Sequence, residues 1–244
     1  MSTAEQVATE KRRAAEAAME WIRDGMTVGL GSGSTALCFI ETLGRRVREG
    51  LRVTGVPTSR SSREAAGRWG IPLVEAGEVE AIDVTVDGAD EIDPRLNLIK
   101  GGGGALLWEK IVAANSRELV IIADSRKWVQ QLGAFPLPVE VVRFGWTWTA
   151  RAVSRLGAQV TQRTTESGRP FLTDEGHYIL DCRFGTIEEP ERLSAALNAI
   201  PGVVEHGLFI GLASAVLIGR GGRVEIIRRN HGSLAATGNQ PVAP

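Results

Sequence analysis

A chain of 244 residues, 43% hydrophobic and 23% charged with a formal net charge of −1, has room for one compact α/β unit with a smaller companion and is neither disordered nor fibrous. No basic excess supports a nucleic-acid partner, and apolar runs of a few residues fall far below the roughly 18 that a membrane span needs. Met1 to Arg13 carries Glu5 and Glu10 and no apolar block, so a cytoplasmic protein without a membrane partner is expected. Cys38 and Cys182 lack metal-ligand spacing and sit in hydrophobic stretches, which predicts two small buried thiols and no disulfide framework. Of 28 basic residues only four are lysine, Lys11, Lys100, Lys110 and Lys127. A chain that so consistently uses Arg has reason to use Lys where a compact ammonium is needed.

The first 25 residues read as a helix, with Ala14, Ala17, Ala18, Trp21 and Ile22 at three- and four-residue spacing. Met26 to Leu30 then reads as a strand, followed by the turn Gly31-Ser32-Gly33-Ser34-Thr35 and a helix from Ala36 to Leu43. Strands are predicted at Arg52 to Val56, Ile71 to Val74, Ala81 to Val86 and Glu118 to Ile122, with helices after Thr58-Ser59-Arg60-Ser61-Ser62 and from about Ala105 to Asn115. This alternation implies a mostly parallel, Rossmann-like sheet with helices on both faces. From Pro136 the order becomes strand (Val139 to Val142), helix (Trp146 to Leu156), strands (Gln159 to Gln162 and His177 to Cys182), helix (Ile187 to Ala199) and strand (Val203 to Glu205). That order matches a ferredoxin-like α+β insert. The expected division is an α/β domain over residues 1–135 and about 207–230, with Ala215 to Ile218 and Val224 to Ile227 returning to the main sheet. The insert takes about 136–206, and the small, polar residues 231–244 read as a disordered tail.

Four stretches carry residues suited to chemistry. In Gly29-Leu30-Gly31-Ser32-Gly33-Ser34-Thr35, glycines allow a sharp turn at a strand end, and the N–H groups of the next helix, with Ser and Thr hydroxyls, can cradle a phosphate. A plain tight turn is the competing reading. A dinucleotide fingerprint fits less well, because Ser34 replaces the third glycine and Pro57-Thr58-Ser59 stands where an acidic residue should close the second strand; no Lys precedes Ser34 as a Walker loop would require. Asp87-Gly88-Ala89-Asp90-Glu91-Ile92-Asp93 places four carboxylates in seven residues after a buried-looking strand, where open parallel sheets bind ligands. Asp87 and Asp90 are suited to accept hydrogen bonds from sugar hydroxyls or to move a hydroxyl proton; a solvated acidic loop is the alternative, and EF-hand spacing is missing. The third stretch is Lys100-Gly101-Gly102-Gly103-Gly104 followed by a helix containing Glu109. Such a run sacrifices conformational entropy unless the backbone must pass close to something, and a ligand is the obvious candidate. Lys100 offers a cation and Glu109 can look back at the same cleft, although a lone helix carboxylate is more often solvated. Lastly, Ala123-Asp124-Ser125-Arg126-Lys127 follows a further strand end, with Lys127 either a second cation for the ligand or a plain surface residue. His177, His206 and His231 lie outside these loops, so no zinc site or His-based triad is expected.

GLGSGST, TSRSS, DGADEID, KGGGGALLWEK and ADSRK, in this order and spacing from about Lys11 to Ile227, resemble ribose-5-phosphate isomerase of the A type. The resemblance implies interconversion of D-ribose 5-phosphate and D-ribulose 5-phosphate in the non-oxidative pentose phosphate pathway, without metal or cofactor, by a homodimer or homotetramer. It makes Glu109 the general base and Lys100, Asp87 and Asp90 its catalytic companions. Substrate contacts are implied for Ser32, Gly33, Ser34 and Thr35, for Gly88 and Ala89 with their two aspartates, for Gly101, Gly102 and Gly103 beside Lys100, and for Lys127 and Lys11. Leu107-Trp108 departs from the more polar residues often found before the Glu. Two other classes remain at this point. A sugar-phosphate sensing module would place a helix-turn-helix ahead of the sheet, and only about 25 residues precede the first strand. A related transferase or deaminase would carry a differently placed Glu or a His in the site.

Overall fold

The computed structural model describes residues 3–229. In chain order its first half comprises α1 (Thr3–Ala18), β1 (Thr27–Leu30), α2 (Gly33–Arg48), β2 (Thr54–Pro57), α3 (Arg60–Trp69), β3 (Ile82–Asp87), β4 (Glu91–Ile92), β5 (Leu98–Ile99), α4 (Leu106–Ala114) and β6 (Ser116–Asp124). It continues with β7 (Leu137–Val141), α5 (Trp146–Ser154), β8 (Gln159–Gln162), β9 (Tyr178–Arg183), α6 (Pro190–Asn198), β10 (Val203–His206), β11 (Leu208–Phe209), β12 (Ala215–Arg220) and β13 (Arg223–Arg228).

Six strands form the main sheet in the order β13-β12-β6-β3-β1-β2, parallel except for the antiparallel edge strand β13. β6 and β12 carry the continuous apolar runs 119–123 and 215–218, as strands covered on both faces do. Val84, Val86, Val120 and Ile122 pack with Ala14, Phe39, Ile40 and Ala65 of α1 to α3, whereas Leu119 and Ile121 face the other way, where they meet Ala113 of α4. Alternation along β3 therefore sends Thr85 and Asp87 to the α4 side. The register pairs Leu30 with Val86, Asp87 with Ile121 and Asp124 with Gly219, so the loops after β1, β3 and β6 leave from one edge, as parallel strands joined by helical crossovers require.

The second sheet is antiparallel, order β10-β7-β9-β8, and its strand-helix-strand, strand-helix-strand connectivity is the expected ferredoxin-like one. Val139, Val141, Leu180 and Cys182 bury one face against Val153 of α5 and Leu197 of α6. Its other face carries Pro138, Glu140 and Asp181. A third, three-stranded sheet of two-residue strands, β11-β5-β4, lies in the connection.

Several expectations are corrected. The first helix, expected over the first 25 residues, stops at Ala18 and tightens into a single turn over Met19–Trp21. Ile71 to Val74 is not a strand: Pro72 has no N–H to give, and Leu73 makes one isolated bridge to Gly55. Cys182 is buried but Cys38 only partly so, and both are free. The expected disorder of 231–244 lies outside the described residues.

Candidate active site

The carboxyl edge of the main sheet holds a cavity of about 140 Å³ lined by four segments and by Lys11. The first segment is the turn after β1. Gly33 takes φ +84°, the left-handed turn that only glycine adopts without strain, and α2 begins there. Gly31 is pressed so closely on β3 that an added Cβ would lie 2.3 Å from Asp87 Oδ1. Ser32, Gly33, Ser34 and Thr35 all line the cavity, and Lys11 Nζ donates to Ser34 Oγ at 2.9 Å.

Asp87 ends β3 on the α4 side and is 1% exposed. Its Oδ1 accepts from the backbone N–H groups of Ser32 (2.9 Å) and Gly88 (2.7 Å), and its Oδ2 lies 3.0 Å from Lys100 Nζ. It stands beside Lys100 and is not among the described residues that line the cavity. Gly88, Ala89 and Asp90 do line the cavity. Asp90 Oδ2 accepts from the Gly102 N–H at 2.7 Å, and its Oδ1 stands 4.0 Å from Lys127 Nζ. The remaining carboxylates of this acidic segment are structural: Glu91 accepts from the Gly133 and Phe135 N–H groups, and Asp93 closes a turn with Arg95 and Asn97.

Lys100 is 3% exposed, yet it borders the cavity. Its ammonium donates to Gly88 O at 2.7 Å and lies 3.2 Å from Glu109 Oε2. Burial alone lowers an ammonium pKa, but the facing carboxylates of Asp87 and Glu109 outweigh it and hold Lys100 above its usual value. Glu109 is the fourth residue of α4, whose buried stripe is Leu106, Glu109, Val112 and Ala113; a carboxylate thus replaces an apolar side chain facing the sheet. Desolvation pushes its pKa from 4.5 up to about 8, with Lys100 pulling it back and Asp87 and Asp90 adding to the rise. Its Oε2 has no aligned hydrogen-bond donor. A buried carboxylate with a raised pKa beside a cavity-lining ammonium suits proton transfer near neutral pH.

Three of the four lysines, Lys11, Lys100 and Lys127, therefore border one cavity. Lys110 leaves α4 in another direction and donates to Glu205 Oε1 and His206 O, both at 2.6 Å. Arg126, to which no sequence motif assigns a role, also lines the cavity, and its Nε donates to the fully buried Asp124 at 2.8 Å. Its signal was its place beside Lys127 at a strand end.

Comparison with known proteins sets this fold among isomerases. Residues 54–222 match the family model of ribose 5-phosphate isomerase A (phosphoriboisomerase A). Ribose-5-phosphate isomerase A of Bradyrhizobium diazoefficiens is 54% identical over 229 residues, covering 90% of this chain and 95% of that protein. The solved ribose 5-phosphate isomerase A of Methanocaldococcus jannaschii superposes with a TM-score of 0.86 at 41% identity, covering 89% of this chain and 97% of the other. A D-ribose-5-phosphate isomerase solved in complex with phospho-erythronic acid gives 0.88 at 38% identity, covering 94% and 100%. The chain belongs to the ribose 5-phosphate isomerase A family.

Proposed function

We propose that this protein interconverts D-ribose 5-phosphate and D-ribulose 5-phosphate through an enediolate, with Glu109 as the base, and serves the non-oxidative pentose phosphate pathway. The observation that carries the reading is the convergence of a buried, poorly solvated carboxylate and Lys100 on a cavity shared with the Ser34 turn, Lys11 and Lys127. A relative of the same fold holds a phosphorylated sugar acid, a ligand of the chemical class that such a cavity would take.

The substrate phosphate is held by Ser34, Thr35 and the N–H groups at the start of α2, with Lys11, Lys127 and Arg126 supplying charge. Asp90 exchanges a hydroxyl proton as the furanose opens. Glu109 then removes the C2 proton of the open aldose; the electron pair moves toward O1, and Lys100 stabilises the negative charge that develops on O1 and O2. Once the O2 proton has passed to O1, Glu109 returns its proton to C1 and leaves the ketose. Asp87 acts through Lys100, fixing its ammonium. Phosphate binding orients the reacting end, so its energy serves the chemical step.

The test is isomerisation of ribose 5-phosphate by chelator-treated protein beside Glu109→Gln. Wild type is expected to turn over and the variant to lose at least about 10²-fold in kcat while remaining folded. Near-normal turnover by the folded variant would refute Glu109 as the base.

A further inference from the structure

Resting on that functional reading, we propose that Arg163 is a positioning residue for the glycine loop that receives the sugar. Residues Gly101 to Gly104 have no side chains with which to pack, so their conformation must be imposed through contacts to their backbone. Among the described residues, two side chains make hydrogen bonds to that backbone. Asp90 takes the Gly102 N–H from the cavity side. From the other side Arg163, just beyond β8, extends Nη1 to Gly101 O at 2.9 Å and to Gly102 O at 3.1 Å.

The guanidinium is itself braced. Its Nε donates to Asp181 Oδ2 at 3.0 Å and its Nη2 to Oδ1 of the same carboxylate on β9. Its backbone N–H donates to Ile179 O at 2.8 Å, and its carbon centre lies 5.8 Å from the Phe171 ring, which packs against Gly104. The planar fork thus spans a carboxylate on one sheet and two carbonyls of a loop belonging to the other, a geometry that a lysine cannot reproduce.

Its consequence for the site follows from peptide planarity, since N–H points opposite to C=O across each trans unit. Drawing Gly101 O toward Arg163 aims the Gly102 N–H at Asp90, so the guanidinium, the peptide and the Asp90 carboxylate form one polarised chain. Drawing Gly102 O the same way turns the Gly103 N–H away from Arg163. That group has no acceptor among the described residues, and Gly103 lines the cavity. Arg163 therefore sets the orientation of Asp90 and of a backbone donor available to substrate without touching substrate itself.

The test uses Arg163→Ala, Arg163→Lys and Asp181→Asn with two readouts. In the ligand-free protein, amide exchange at Gly102 is expected to accelerate at least about 10-fold in Arg163→Ala relative to wild type, reflecting loss of the orientation that pairs it with Asp90. For ribose 5-phosphate, kcat/KM is expected to fall about 10- to 100-fold, the range for losing hydrogen bonds from a charged donor. Asp181→Asn, which preserves shape, is expected to show a smaller loss of the same kind. Added methylguanidinium should restore part of the Arg163→Ala activity, and Arg163→Lys should not regain the wild-type value; a general loss of stability would produce neither pattern. Unchanged Gly102 exchange, or kcat/KM within about twofold of wild type in folded Arg163→Ala and Asp181→Asn, overturns the proposal. An inactive wild type would refute the functional reading instead, and the exchange measurement would still decide whether Arg163 holds the loop.

Discussion

Replacing Glu109 by Gln is expected to make the protein more stable as well as less active, and the gain should depend on pH in a defined direction. The folded protein holds the Glu109 proton with a pKa of about 8 against 4.5 for the free group, chiefly because burial strips water from the carboxylate. A group whose folded pKa is raised contributes stability that is fully present below its unfolded pKa and is lost as pH climbs through its folded pKa. Wild type should therefore lose stability through this residue as pH rises between 4.5 and about 8, by an amount on the order of a few kcal/mol. Glutamine copies the shape of the protonated acid and does not ionise, so Glu109→Gln should match wild type near pH 5 and exceed it increasingly above. Urea unfolding of both proteins at pH 5, 7 and 9 measures the difference. At about 2–4 °C per kcal/mol for a chain of this size, thermal unfolding at pH 9 should separate them by several degrees. A variant less stable than wild type at every pH, or a difference that does not grow with pH, would mean that Lys100 fully compensates the buried charge, and the account of how the base is poised would fail.

Other substitutions probe different parts of the same arrangement. Lys100→Met leaves Asp87 and Glu109 without their shared cation, so it should destabilise the fold by about 3–5 kcal/mol and abolish turnover; an active, stable variant in denaturant titration and kinetic assays would contradict the ion cluster. Lys127→Ala should raise KM for ribose 5-phosphate more than it lowers kcat, since the lysine lines the cavity beside the groups proposed to anchor the phosphate, and a pure kcat loss would remove it from that role. Gly31→Ala should cost about 1–3 kcal/mol in unfolding measurements, because its Cβ would collide with Asp87 and the β3 backbone; wild-type stability would deny that approach. The pH profile of kcat/KM should fall on the acid side with an apparent pKa well above the usual carboxylate range, and a limb below pH 5 would exclude Glu109 as the group responsible.

How far these features were legible in the sequence depends on whether their cause is local. The strand, glycine turn and helix from Thr27 to Arg48 follow from chemistry written within a few residues, and the parallel sheet follows from repetition of that unit. Ile71 to Val74 has the right apolar content for a strand, but Pro72 withholds the donor that pairing needs, and one bridge is all that forms. The two-residue strands at Glu91, Leu98 and Leu208 are too short to show a period. In the acidic loop, composition could not distinguish Asp90 at the cavity from Glu91 and Asp93 beneath it, because the distinction depends on which distant backbone amides reach each carboxylate. Glu109 was more legible than its residue type indicates. Three- and four-residue spacing from Leu106 and to Ala113 puts it on the buried stripe of α4, and a carboxylate placed there must be paired, protonated or functional. Arg163 is the opposite case. It lies 62 residues from Gly101 in sequence, and its spacing gives no reason to single it out until the second sheet is folded against the glycine loop. A site built at the edge of a parallel sheet can be read largely from loops that follow strands; the contacts that stiffen those loops come from whichever element packs against them, and only the assembled fold identifies it.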